Sequence, residues 1–172
     1  MNRLKKWMIG LCFIMLAVLL WVIASPSPEG VLVLEYHQVT EHTDEDAYRY
    51  NVPPEEFRQQ LAYLQSQGYT TISMLDFMKA KKGKQELPAK PLILTFDDGY
   101  EDNYTTLLPI LEEYGMKATV YVVTNNIGQP GYLDWNELRE MQERGIEIGS
   151  HTANHQPLTQ LPSAMRADEV RL

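Results

Sequence analysis

Short continuous apolar runs punctuate this chain: Val31-Leu32-Val33-Leu34, Leu92-Ile93-Leu94, Val120-Tyr121-Val122-Val123 and Ile146-Glu147-Ile148. Between them lie longer segments whose apolar residues recur three and four positions apart. Runs of the first kind, bounded by turn residues, read as buried strands, and the second kind reads as helix. The pattern predicts a buried strand over 31–36 and a helix over 54–65. Pro54 opens that helix, and Phe57, Leu61 and Leu64 share one face. A strand over 69–72 follows, then a short helix capped by Ser73 that ends in the basic loop 79–84. The next strand, 92–96, leads into a helix over 101–114 that Gly115 ends and Pro109 is placed to kink. A strand over 118–123, a helix over 135–144 between Asp134 and Gly145, a fifth strand over 146–149 and a last helix capped by Ser163 complete the series. Repeated strand-then-helix units indicate an α/β fold with a parallel sheet, either a barrel or an open sheet.

One apolar block differs in kind. The 18 residues from Trp7 to Ala24 carry no charge and follow Arg3, Lys5 and Lys6. That length is near the minimum for a transmembrane helix, and the basic flank places the N-terminus in the cytoplasm. It exceeds the apolar stretch of roughly 7–15 residues in a cleaved signal peptide. Residues 1–24 are therefore expected to be a signal-anchor, with cleavage after Val22-Ile23-Ala24 as the alternative. Residues 25–30, Ser25-Pro26-Ser27-Pro28-Glu29-Gly30, form a short semi-rigid linker. Residues 31–172 form one domain outside the cytoplasm, held at the cell membrane or secreted. Cys12, the only cysteine, lies inside the apolar block, so the exported part has no disulfide. Without the three basic residues of the N-terminal segment, 12 Lys and Arg face 23 Asp and Glu, a net charge of −11. Such a surface repels phosphate backbones and excludes nucleic acid as a partner.

The chemistry concentrates in two strings. Thr95-Phe96-Asp97-Asp98-Gly99 puts adjacent carboxylates at the end of a predicted strand. His151-Thr152-Ala153-Asn154-His155 puts two imidazoles four residues apart after another. At helical spacing such a pair shares one face, so both rings can converge on one ion. Active sites of α/β folds gather at the C-terminal ends of strands. A carboxylate and two imidazoles form a ligand set with open positions. Zinc held by three protein ligands keeps a position for water and lowers its pKa to about 7. The second carboxylate stays free to move a proton. The same ligand types also make the facial triad of non-haem iron oxygenases, which have no use for the second carboxylate.

The two strings together resemble the first two motifs of the polysaccharide deacetylases of the NodB-homology type. Further similarity is to the subgroup that de-N-acetylates poly-β-1,6-N-acetylglucosamine. It rests on Val31 to Tyr36 followed by His37, on Phe57, Leu61, Leu64 and Gly68-Tyr69, on Trp135 to Met141, and on Glu147 to His151. The resemblance covers about residues 31–160. It implies a distorted (β/α) barrel, here partial, that removes N-acetyl groups from an N-acetylglucosamine-containing polysaccharide. It makes Asp97 the general base and Asp98, His151 and His155 the ligands of a divalent metal, zinc above all. It also places His37 near the substrate. His42, in a polar stretch, reads as solvated. The family's later strings, with an Arg, a Trp and a Leu-x-His whose His is the general acid, do not occur before Leu172. The expectation is thus an incomplete domain of low stability and little activity by itself, or a membrane-tethered remnant that binds glycan.

Overall fold

The computed structural model describes residues 30–41 and 49–170, with the single positions Trp7 and Met15. The rest of the expected membrane segment, residues 25–29 of the linker, Cys12 and His42 lie outside the described residues. Among those residues no helix is long and apolar enough to cross a membrane.

The strand-then-helix pattern is realised as an α/β fold: β1 (Leu32–Tyr36), α1 (Pro54–Ser66), β2 (Thr70–Thr71), α2 (Met74–Lys81) and β3 (Pro91–Phe96) come first. A π-helical turn (Asn103–Leu107) then runs directly into α3 (Leu108–Glu113). β4 (Thr119–Val122), α4 (Trp135–Glu143), β5 (Glu147–Ser150) and α5 (Ser163–Val170) complete the order. Local chemistry sets several boundaries. Ser73 and Asp134 each close a capping box, with Asp76 and Glu137 returning a bond to the cap. The helix expected over 101–114 is split. Pro109 has no N–H to offer its preceding turn, and Leu108 N–H instead bonds five residues back to the Asn103 carbonyl.

All strands are parallel, in the order β1-β3-β4-β5. β1 pairs with β3 along Leu92 to Phe96, so β2, at Pro91 and Leu92, and β4, at Thr95 and Phe96, share the opposite edge of β3. One sheet face is apolar. Tyr36, Phe96, Val120 and Ile148 lie in one row across four strands and pack with Phe57 and Leu61 of α1, Leu111 of α3 and Met141 of α4. The other face is polar where the strands alternate: Glu35, Thr95, Thr119 and Glu147 form a single row. β1 therefore departs from the fully buried strand expected. Leu32 and Val33 are exposed, Glu35 is exposed, and only Leu34 and Tyr36 turn to the core.

Candidate metal centre

The site grows from the polar face, one row beyond Glu35 and Thr95. Asp97 continues β3, its N–H bonding the Tyr36 carbonyl at 2.9 Å, so its side chain falls on the same face as Thr95. There the chain turns abruptly: Asp98 and Gly99 have φ of 74° and 75°. Gly99 is required twice over, because a Cβ there would also meet Val122 Cγ1 at 2.8 Å. On the neighbouring strands, His151 N–H bonds the Val122 carbonyl at 2.8 Å and carries β5 past its end to the same place.

The structure brings Asp98, His151 and His155 together. The Nε2 atoms of His155 and His151 lie 3.5 and 3.7 Å from Asp98 Oδ1, and the two rings are 4.8 Å apart. Asp98 Oδ1 is buried and has no hydrogen-bond partner. An orphaned buried carboxylate oxygen is costly, and here it faces two imidazole nitrogens. The donor set suits a divalent cation with nitrogen and oxygen ligands, zinc among them. The route to this convergence differs from the helical turn expected. Residues 151–155 are an irregular loop, with Thr152 at φ 68° and His155 at φ 56°. Left-handed conformations at two positions, rather than helical periodicity, turn the second ring back on the first.

Asp97 Oδ2 lies 3.8 Å from His151 Nε2, almost as near as Asp98, but only Asp98 also reaches His155, and Asp97 clusters instead with Glu35 and His37. Burial raises its carboxyl pKa above the ordinary range. Glu35 and Asp98 push the same way, and His151 and His37 oppose them. His37 follows β1, with a ring nitrogen within 4.8 Å of oxygens of both Asp97 and Glu35. Its ring packs against Tyr50 at 4.9 Å.

Several participants carry no signal in the sequence. Tyr100 stacks on Tyr132 at 5.2 Å, and burial together with the nearby Asp98 charge pushes its pKa up to about 12. Asp102 accepts Val39 N–H at 2.7 Å while Asn103 Nδ2 donates to the His37 carbonyl at 3.0 Å, so the segment after the Asp pair also holds the His37 loop. Glu169 binds the 152–154 loop. Asp102, Asn103 and Glu169 act through contacts distant in sequence.

Comparison with known proteins places this arrangement. The family profile for polysaccharide deacetylase matches residues 84–171. The chain belongs to the polysaccharide deacetylase family. YxkH of Bacillus subtilis strain 168, a polysaccharide deacetylase by name, is 31% identical over 148 residues, covering 86% of this chain and 51% of that protein. The poly-β-1,6-N-acetyl-D-glucosamine N-deacetylase of Escherichia coli K12 is 28% identical over 141 residues, covering 73% of this chain and 21% of its own. The chain thus spans about half the first of these relatives and a fifth of the second. Among solved structures, the Streptococcus pyogenes deacetylase PplD in complex with acetate superposes with a TM-score of 0.74 at 30% identity, over 83% of this chain and 65% of that one. IcaB from Ammonifex degensii gives 0.70 at 27% identity, over 81% and 64%.

Proposed function

We propose that this site removes acetyl groups from N-acetylglucosamine units of a polysaccharide outside the cytoplasm, using a divalent metal, zinc by its donor set, held by Asp98, His151 and His155. The observation that carries the reading is the buried, unpartnered Asp98 Oδ1 facing two imidazoles, with the free carboxylate of Asp97 beside them. When bound, the metal supplies Lewis acidity to the acetamide carbonyl and to water.

The chain's own residues supply the proton traffic. Asp97, beside the three ligands, takes a proton from the attacking water. The water oxygen forms a bond to the carbonyl carbon, and the C–N bond breaks only once the nitrogen is protonated. Within this chain we assign that proton to His37, whose ring nitrogen lies within 4.8 Å of an Asp97 oxygen, in place of the His of the family's Leu-x-His string. Acetate and a free amine result. The resemblance to poly-β-1,6-N-acetyl-D-glucosamine N-deacetylases supports the substrate class.

Two further features belong to this reading. The parallel sheet is part of a (β/α) barrel, which accords with outer edges of β1 and β5 that are unpaired among the described residues. The uncharged segment from Trp7 to Ala24, preceded by basic residues, anchors the domain on the outer side of the membrane.

The test is acetate and amine release from β-1,6-linked N-acetylglucosamine oligomers by the zinc-loaded full chain. The reading predicts equal amounts of both from the wild type, at the low rate expected of this chain by itself, and about 10²- to 10⁴-fold less from Asp97→Asn. Stoichiometric zinc binding with no acetate from β-1,6- or β-1,4-linked oligomers would overturn the substrate and leave the metal assignment standing.

A further inference from the structure

The 151–155 loop raises a question of support. It presents two ligands, yet Thr152 and His155 both occupy left-handed backbone, which a β-branched residue adopts only under constraint. The constraints can be named. Thr124 and Asn125 N–H groups bond the Thr152 and Ala153 carbonyls, each at 3.1 Å, and His155 N–H bonds Thr152 Oγ1 at 3.0 Å. Three further donors go to one residue of α5. The Glu169 carbonyl accepts Ala153 N–H at 2.9 Å, its Oε2 accepts Asn154 N–H at 2.9 Å, and its Oε1 accepts Asn154 Nδ2 at 2.7 Å.

α5 is unusual in what it buries. Met165 and Val170 are exposed at 51% and 59%, while Glu169, at 7%, is the buried residue of the helix. Burying a carboxylate is unfavourable unless hydrogen bonds compensate it. The bonds from Asn154 do so, and they hold the Glu169 carboxyl below its ordinary pKa. Asn154 Oδ1 in turn accepts Asn125 Nδ2 at 2.7 Å, linking α5 through the loop to the segment after β4.

The geometry assigns Glu169 the role of a positioning residue for the metal centre: it fixes Ala153 and Asn154 so that the flanking imidazoles of His151 and His155 both aim at Asp98. This rests on the metal-site reading above. Loss of outer residues that orient ligands costs about 10- to 100-fold in metal affinity.

The experiment is a zinc competition titration against a chromophoric chelator, on the full chain and on Glu169→Gln, Glu169→Ala and Asn154→Ala, with thermal unfolding of each apo protein alongside. Gln keeps an acceptor for Asn154 N–H, so affinity should fall about tenfold for Glu169→Gln and up to about 100-fold for Glu169→Ala. Asn154→Ala, which leaves α5 untouched, should lose affinity as well. A purely structural role would lower the apo unfolding midpoint and leave the zinc affinity of the folded protein unchanged. Wild-type binding of one zinc with all three variants within twofold of it would overturn the inference. A wild type that binds no zinc would instead overturn the metal reading on which the inference depends.

Discussion

Asp97 and Asp98 are chain neighbours with different tasks because the backbone turns between them. Asp97 is still in strand geometry beside His37 and Glu35, whereas Asp98, at φ 74°, is swung under the two imidazoles. Replacing Asp98, His151 or His155 by Ala should abolish tight zinc binding, since each removes one of three protein ligands. Asp97→Asn should keep the zinc and lower turnover by about 10²- to 10⁴-fold, the usual contribution of a general base. Metal analysis with acetate release separates the two outcomes, and loss of zinc from Asp97→Asn would reverse the roles. His37 has its own test. As a proton donor to the leaving nitrogen it matters for amides and little for esters with acidic leaving groups. His37→Ala should therefore slow release from N-acetylglucosamine oligomers by about 10²-fold or more and spare hydrolysis of an aryl acetate; equal losses on both would refute the role. That Asp97, Asp98, His151 and His155 would meet was legible because carboxylate pairs and spaced histidines together have a definite chemistry. Glu169 and Asp102 were not, because a carboxylate's burial is decided by what folds against it.

Helices and strands were legible where a local device fixes them. The boxes at Ser73 and Asp134 and the glycines at 115 and 145 lie where the sequence pattern puts the ends of elements. The departures each have a physical cause. Pro109 converts one long helix into a π turn followed by α3. The His-x-x-x-His spacing looked helical, yet hydrogen bonds donated by Thr124 and Asn125 and accepted by Glu169 hold the loop in a form that periodicity cannot reveal. β1 was read as buried on both faces because its sequence is apolar, while its Val33 and Glu35 side lies on the open polar face. Two substitutions probe how elements position the site. Asp102→Ala leaves the N–H of fully buried Val39 without its acceptor. It should cost about 1–3 kcal/mol in denaturant unfolding and reduce turnover through the His37 loop without weakening zinc. Gly149→Ala would place a methyl 2.5 Å from the Tyr121 ring, and overpacking of that kind costs about 1–3 kcal/mol; unchanged stability in denaturant unfolding would contradict this.

At the scale of the whole molecule, parallel strands alternating with helices, read from the apolar runs, are what the structure contains. The shared edge of β3 taken by β2 and β4 was beyond reach, since pairing partners leave no local trace. Acid sensitivity also belongs to this scale. Hydrogen bonds from Asn154 depress the folded-state pKa of Glu169. Its contribution to stability is then full above the unfolded pKa and is lost as pH falls through the lower folded value. The stability difference between wild type and Glu169→Gln should therefore shrink on acidification through that window, as read from unfolding midpoints against pH; a constant difference would contradict the linkage. The central claim is that one metal sits on Asp98, His151 and His155 with Asp97 outside its ligand set. Zinc titration of the full chain beside Asp98→Ala and Asp97→Asn tests it most directly. One zinc per chain in wild type and Asp97→Asn, and none in Asp98→Ala, is the predicted result. Equal binding by all three chains, or none by the wild type, would contradict it.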